Sequence, residues 1–211
     1  MKNIFYFILV IAVSFLVACD DNGGKSSTAK LTVDELESGR YTVSVGDENS
    51  PSIGKYYAGN GNSRFVFIES VDGKVAQIYR RTQNGEWTAV PNIREDTTIK
   101  LVNSTPVLDQ NIGLAELPSG FVTKTSLDQV VKFALGSNGR LTAEAGDCHI
   151  VGTVSEGDIE GLLAVALTSE NCDLPEEMDG VLVIDSDYQP AVFRLIASRG
   201  EEIMDLWIYQ E

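Results

Sequence analysis

Carboxylates are the commonest groups in this chain that could do chemistry, and they fall in clusters: Glu156, Asp158 and Glu160; Glu176, Glu177 and Asp179; Asp185 and Asp187. Two carboxyls facing one another across a sugar can act as acid and base, but that needs a cleft and a spatial pair, which spacing along a chain does not supply. The alternation Glu156-x-Asp158-x-Glu160 could hold Ca²⁺ in a turn, yet the rest of a calcium loop is missing. Solvated turns need no ligand and account for all three clusters. The single histidine, His149, directly follows Cys148, and neighbours in a strand point to opposite faces. Neither a His-x-x-x-His pair nor a Gly-x-Ser-x-Gly elbow occurs, so His149 reads as half exposed on a sheet rather than as a metal ligand or a catalytic base. Tyr79-Arg80-Arg81 lies across an Asn84-Gly85 turn from Trp87. That aromatic and basic cluster could grip a carboxylate or a glycan, although guanidinium groups laid over rings across a hairpin need no ligand. Asn103-Ser104-Thr105 matches a glycosylation acceptor and reads as incidental.

Charge is unevenly spread. The formal net charge is −15. From residue 141 to 211 there are 16 carboxylates against Arg194 and Arg199, or −14, whereas residues 26–140 hold 12 basic against 13 acidic groups, or −1. Such a surface repels nucleic acid and anionic headgroups, so neither is an expected ligand, and a basic protein is the partner it would attract. Glu156, Asp158, Glu160, Glu176, Glu177 and Asp179 are the candidate acidic interaction face.

The amino terminus has a different character. Met1-Lys2-Asn3 is short and positive, and residues 4–16 are almost unbroken apolar sequence, the layout of a secretory signal peptide and too short to span a bilayer. Leu16-Val17-Ala18-Cys19 closes that run and resembles the lipobox of bacterial lipoproteins. The resemblance implies that Cys19 receives a diacylglycerol, that cleavage occurs before it, and that the new amino terminus is acylated too. Several acyl chains hold far better than one, since each buried CH₂ adds about 0.8 kcal/mol. The membrane is then a partner through Cys19, and the location is the cell envelope. The expected site is the periplasmic face of the inner or the outer membrane, with the cell surface as the alternative. Residues 20–30 are polar and Gly/Ser-rich, a flexible tether. Gly23-Gly24-Lys25-Ser26 is no phosphate-binding loop, because the first glycine that pattern requires is replaced by Cys19.

With Cys19 taken as the anchor, Cys148 and Cys172 remain as an even pair in an oxidising compartment, which reads as a disulfide, with two buried free thiols as the alternative. Closing that loop would stabilise the fold by about 3 kcal/mol. The expected organisation is therefore a signal peptide (1–18), a tether (19–30), an N-terminal β-rich half (31–120) and a disulfide-clamped acidic β half (121–211).

The elements that position these groups are expected to be strands. Thr32-Val33-Asp34-Glu35 has the form of a helix start that Gly39 could end, predicting one short helix. Alternation then predicts strands at 41–45, 64–69, 75–81, 87–90 and 99–102, with Asp72-Gly73 and Asn84-Gly85 as hairpin turns. Residues 107–120, bracketed by Pro106 and Pro118, read as a connector. Residues 126–135 fit a helix or a strand, and the Ser137-Asn138-Gly139 turn that follows favours the strand, paired with 140–144. Runs at 148–154, 162–168, 181–185, 191–197 and 203–209 complete the pattern, so that a hairpin would bring Cys148 and Cys172 opposite one another. The fold class is mainly β, an antiparallel meander forming a barrel or sandwich, with two similar halves left open. With Gly152 inside one strand and Gly180 opening another, residues 130–209 resemble the carboxy-terminal half of uncharacterised lipoproteins built from β-meanders, a likeness that brings no activity or site residues. No catalytic residue, cofactor or metal is expected. The functional expectation is a lipid-anchored, non-catalytic binding or assembly module. An inhibitor or immunity factor against a cationic enzyme is the alternative, and a carboxylate-based hydrolase is a distant third.

Overall fold

The computed structural model of the chain describes residues 29–107, 113–124, 130–172 and 174–211. Cys19, the apolar run before it and nearly all of the tether lie outside the described residues, as does the first part of the ambiguous segment, 126–129.

The first half holds β1 (Leu31–Val33), β2 (Gly39–Asp47), β3 (Ser50–Ala58), β4 (Arg64–Glu69), β5 (Val75–Arg81), β6 (Thr88–Val90), β7 (Thr97–Ile99) and β8 (Leu101–Pro106). Six of them form an antiparallel sheet in the order β6-β5-β4-β3-β2-β8, while β1 pairs in parallel with β7. The short helix expected at residue 32 is not formed. Leu31 and Val33 are buried and Thr32 is exposed, which is a strand's period of two, and Thr97 N–H donates to Lys30 O at 2.8 Å as that strand lies down beside β7. Glu35 does not cap a helix, because Arg64 and Arg81 hold its carboxylate at 3.3 and 2.7 Å. Residues 99–102, expected as one strand, break at Lys100 into β7 and β8, which serve different sheets.

β3 has no counterpart in the sequence reading, since Pro51 and Gly54 inside it argue against a strand. The structure accommodates both. Pro51 sits at the exposed end of the β2–β3 hairpin opposite Gly46, and Gly54 lies where a Cβ would collide with the Phe67 carbonyl oxygen of β4. Beyond Gly54 the strand is buried on both faces.

The second half holds β9 (Gly120–Lys124), β10 (Val130–Leu135), β11 (Arg140–Ala145), β12 (Cys148–Glu156), β13 (Leu162–Glu170), β14 (Glu177–Val183), β15 (Phe193–Arg199) and β16 (Glu202–Gln210). Each pairs antiparallel with the next, and β16 pairs with β9, so the meander closes into an eight-stranded barrel. The strand reading of 130–135 is correct: Val131, Phe133 and Leu135 point inward while Val130, Lys132 and Ala134 point out. β14 starts four residues earlier than expected, and β9 has no counterpart in the sequence reading. The two halves differ in architecture, one an open sheet and the other a closed barrel.

The open sheet lies against the outside of the barrel. Tyr57, Phe65, Phe67, Ile78 and Val90 of the sheet form one apolar cluster with Leu162, Val183 and Ile196 of the barrel. The opposite face of the sheet, with Tyr56, Val66 and Ile68, is closed by Leu31 and Val33 of β1. β15 is consequently covered on both sides, by the barrel interior and by the sheet, and is buried from Phe193 to Ser198.

Candidate functional site

Small barrels hold either a ligand or their own side chains, depending on how the inward positions are filled. Here Phe121, Phe133, Leu163, Leu182, Phe193 and Leu195 are among the buried side chains that converge inside the barrel, with Phe121 and Phe193 in edge contact at 4.7 Å between ring centroids. The polar groups worth attention lie instead outside the barrel, along its seam with the sheet.

Arg194 is the centre of that seam. It projects from the outer face of β15, has no solvent exposure, and donates to both oxygens of Asp205 at 2.7 and 2.6 Å. It also donates to the Glu69 carboxylate at the end of β4 and to Gly73 O at 2.8 Å. Val75 N–H donates to the same Asp205 at 2.8 Å, so this carboxylate ties β5 of the sheet to β16 of the barrel. The rings of Trp207, Phe67 and Tyr188 surround the guanidinium at 4.7, 5.2 and 5.8 Å. Burial alone would lower the Arg194 pKa, but the hydrogen bonds and charges of Asp205 and then Glu69 outweigh it and hold it above the ordinary arginine value. One sequence signal marked the residue, a lone arginine inside the apolar run from 191 to 197.

A second ion pair lies along the same seam. Lys55 of β3 bonds Asp185 and Asp187 at 2.8 and 2.7 Å, and Asp185 in turn accepts from Asp187 N–H at 2.9 Å. Burial pulls the Lys55 pKa down, but the two carboxylates more than offset it and leave it raised. The hydroxyls of Tyr57 and Tyr188 are buried beside one another, short of hydrogen-bond geometry, and burial raises both pKa values.

Where the seam opens to solvent, between β5 and the β12–β13 turn, there is a groove of about 150 Å³. Its floor is apolar, with Phe65, Ile159, Leu162 and Val181, and its rim carries Arg64, Arg80, Arg81 and Asp158. Arg64 donates to Gly61 O and Ser63 O at 2.6 and 2.9 Å and shares Glu35 with Arg81. Ser63 also lines the groove, 3 % exposed, and its Oγ makes no hydrogen bond.

The six acidic residues of the candidate face do not form one patch. Glu156 pairs with Leu163 and Glu177 with Thr168, five positions apart on β13, so the two clusters lie at opposite ends of the barrel, about 17 Å apart along the strand. Glu156, Asp158 and Glu160 occupy the end near the groove. Glu176 and Glu177 occupy the other, where Glu177 meets Arg199 at 2.9 Å, and Asp179 lies two residues further along β14, opposite Ala166. Cys148 and Cys172 are bonded across the open end of the β12–β13 hairpin, with Cα atoms 4.6 Å apart. His149 is half exposed, its side chain 3.9 Å from Glu144. Arg81 stacks on Trp87 at 4.9 Å, the cross-strand arrangement that needs no ligand, while Asn103 is exposed on edge strand β8. Among the described residues, no three or more His, Cys, Asp or Glu side chains converge on a common point where a metal could sit. No protein-family model, no curated protein and no solved structure matches the chain.

Proposed function

We propose that this chain is a lipid-anchored, non-catalytic binding or assembly module of the cell envelope. Leu16-Val17-Ala18-Cys19 at the end of an apolar run supports the anchor, with Cys19 as the acylated residue. The observation that carries the binding reading is the filled barrel: the inward side chains pack on one another, so partners meet the outer surface. The seam carboxylates Glu69, Asp205, Asp185 and Asp187 are each held by Arg194 or Lys55, which leaves them poorly suited to exchange protons with a substrate and disfavours the hydrolase reading. The exposed acidic ends of the barrel suit a basic envelope protein as partner, and an inhibitor of a cationic enzyme is the same chemistry with a narrower target.

The test uses the tethered protein in a bacterial host. Labelled palmitate should enter the wild type and not Cys19→Ser. Capture from envelope extract should retain a basic protein at low salt and lose it at high salt, since exposed charges are screened beyond about 8 Å at physiological ionic strength. Reversing Glu156, Asp158 and Glu160 to lysine in one variant, and Glu176, Glu177 and Asp179 in another, identifies the end that is used. Identical capture by wild type and both variants at every salt concentration would remove the basic partner, and label on Cys19→Ser would remove the anchor.

A further inference from the structure

We infer that the groove between β5 and the β12–β13 turn binds a small organic monocarboxylate bearing a short apolar group, with Arg80 as its anchor. This goes beyond capture of a basic protein, because it concerns a cationic site near one end of an acidic barrel.

The argument starts from Arg80. It sits opposite Phe65 in the β4–β5 register and lies two residues after Ile78, on the side of the sheet that faces the barrel. The side chain is half-buried, and among the described residues no carboxylate lies within ion-pairing reach of it. Its neighbours on the rim, Arg64 and Arg81, already share Glu35. A partly desolvated cation without a counter-charge is unfavourable, and an incoming carboxylate would relieve that while matching the guanidinium fork with two parallel hydrogen bonds. Ser63 adds a second unmet demand, since a hydroxyl buried without a partner is unfavourable and a rotation about its Cα–Cβ bond can turn it toward the groove.

The rest of the groove selects the kind of anion. Its floor of Phe65, Ile159, Leu162 and Val181 gains from an apolar substituent and offers nothing to a polar one. Asp158 also lines the groove, and its repulsion grows with each negative charge on a ligand, which disfavours phosphate and dicarboxylates relative to a monocarboxylate. Gly157, which also lines the groove, lies where a Cβ would meet the Leu162 carbonyl oxygen at 2.9 Å.

The experiment is a titration of the intact, disulfide-bonded chain, ¹⁵N-labelled, with 4-methylpentanoate. The Arg80 Nε–Hε resonance and the Ile159 and Leu162 amides should shift together and saturate. The uncharged 4-methylpentan-1-ol and the apolar-poor acetate should each bind about tenfold more weakly or worse, the loss expected for one charge-assisted hydrogen-bonding pair or for the buried tail. Arg80→Gln should weaken 4-methylpentanoate by about tenfold or more, and Arg80→Lys by less. Absence of a saturable shift at Arg80, equal binding of acid and alcohol, or full affinity in Arg80→Gln would each overturn the inference. If Arg80→Gln does not fold, the wild-type comparison of acid with alcohol decides alone. Loss of this site would leave salt-sensitive capture at the barrel ends untouched, so the two readings fail separately.

Discussion

At the residue scale, Arg194 is the most consequential side chain in the molecule. A guanidinium with no exposure survives in an apolar seam because two carboxylates, a carbonyl and three rings surround it. Removing one member of such a set leaves the others buried and unpaired, which typically costs about 3–5 kcal/mol. Arg194→Met should therefore lower the urea midpoint by a corresponding amount. Arg194→Met combined with Asp205→Leu should recover part of the loss. Recovery stays incomplete because Val75 N–H then loses its acceptor, a residual of about 1–3 kcal/mol. Equal midpoints for the single and double variants would show that an unpaired Asp205 costs no more than the hydrogen bond it accepts from Val75 N–H. The arginine itself was visible in the sequence as an interruption of an apolar run, but its partners at Glu69 and Asp205 were not, because ion pairs across two sheets leave no spacing pattern along the chain.

At the element scale, the hairpins follow from local rules and the exceptions follow from close approach. Gly73 and Gly139 take positive φ values of 75° and 79° in turns that the Asp-Gly and Asn-Gly pairs announce. Gly180 does something else: a Cβ there would collide with the Ile196 carbonyl oxygen and the Ala197 Cα of the neighbouring strand. Gly180→Ala should consequently push β14 from β15 and cost about 1–3 kcal/mol, as overpacking does. Faster hydrogen exchange at the paired amides of Val181 and Ile196 would be the signature, and unchanged exchange with unchanged stability would refute it. The same logic explains why β3 escaped detection, since a glycine that relieves backbone contact reads, from sequence alone, as a strand breaker.

At the scale of the whole molecule, sheet and barrel share one apolar cluster and two ion-pair sets, so they are expected to unfold in a single transition. That transition should weaken in alkali. Tyr57 and Tyr188 have raised pKa values through burial, so above the unfolded tyrosine value of about 10 the unfolded chain loses protons that the native state keeps, and stability falls as pH rises. Lys55 acts in the same direction. Its raised pKa contributes stability that is complete below the unfolded value of about 10.4 and is lost as pH climbs through the folded one. Melting curves between about pH 8 and about pH 11 should show Tyr57→Phe losing less than the wild type at the alkaline end. At neutral pH the same variant should cost little, because the hydroxyl it removes is buried without a partner. Parallel curves for the two proteins would show that Tyr57 does not titrate with unfolding.

Strand alternation, Asx-Gly turns and the Cys148–Cys172 pairing were legible from sequence because each depends on neighbours along the chain or on one hairpin. The mainly β class followed from them. Closure of β16 on β9, the docking of the sheet on β15, the burial of Arg194 and the division of the acidic residues between two barrel ends depend on contacts between distant residues. Tertiary structure alone decided these. A side chain's role in the seam is set by what lies across from it, and a strand pairing more than eighty residues apart, such as Gln210 with Phe121, has no local signature to read.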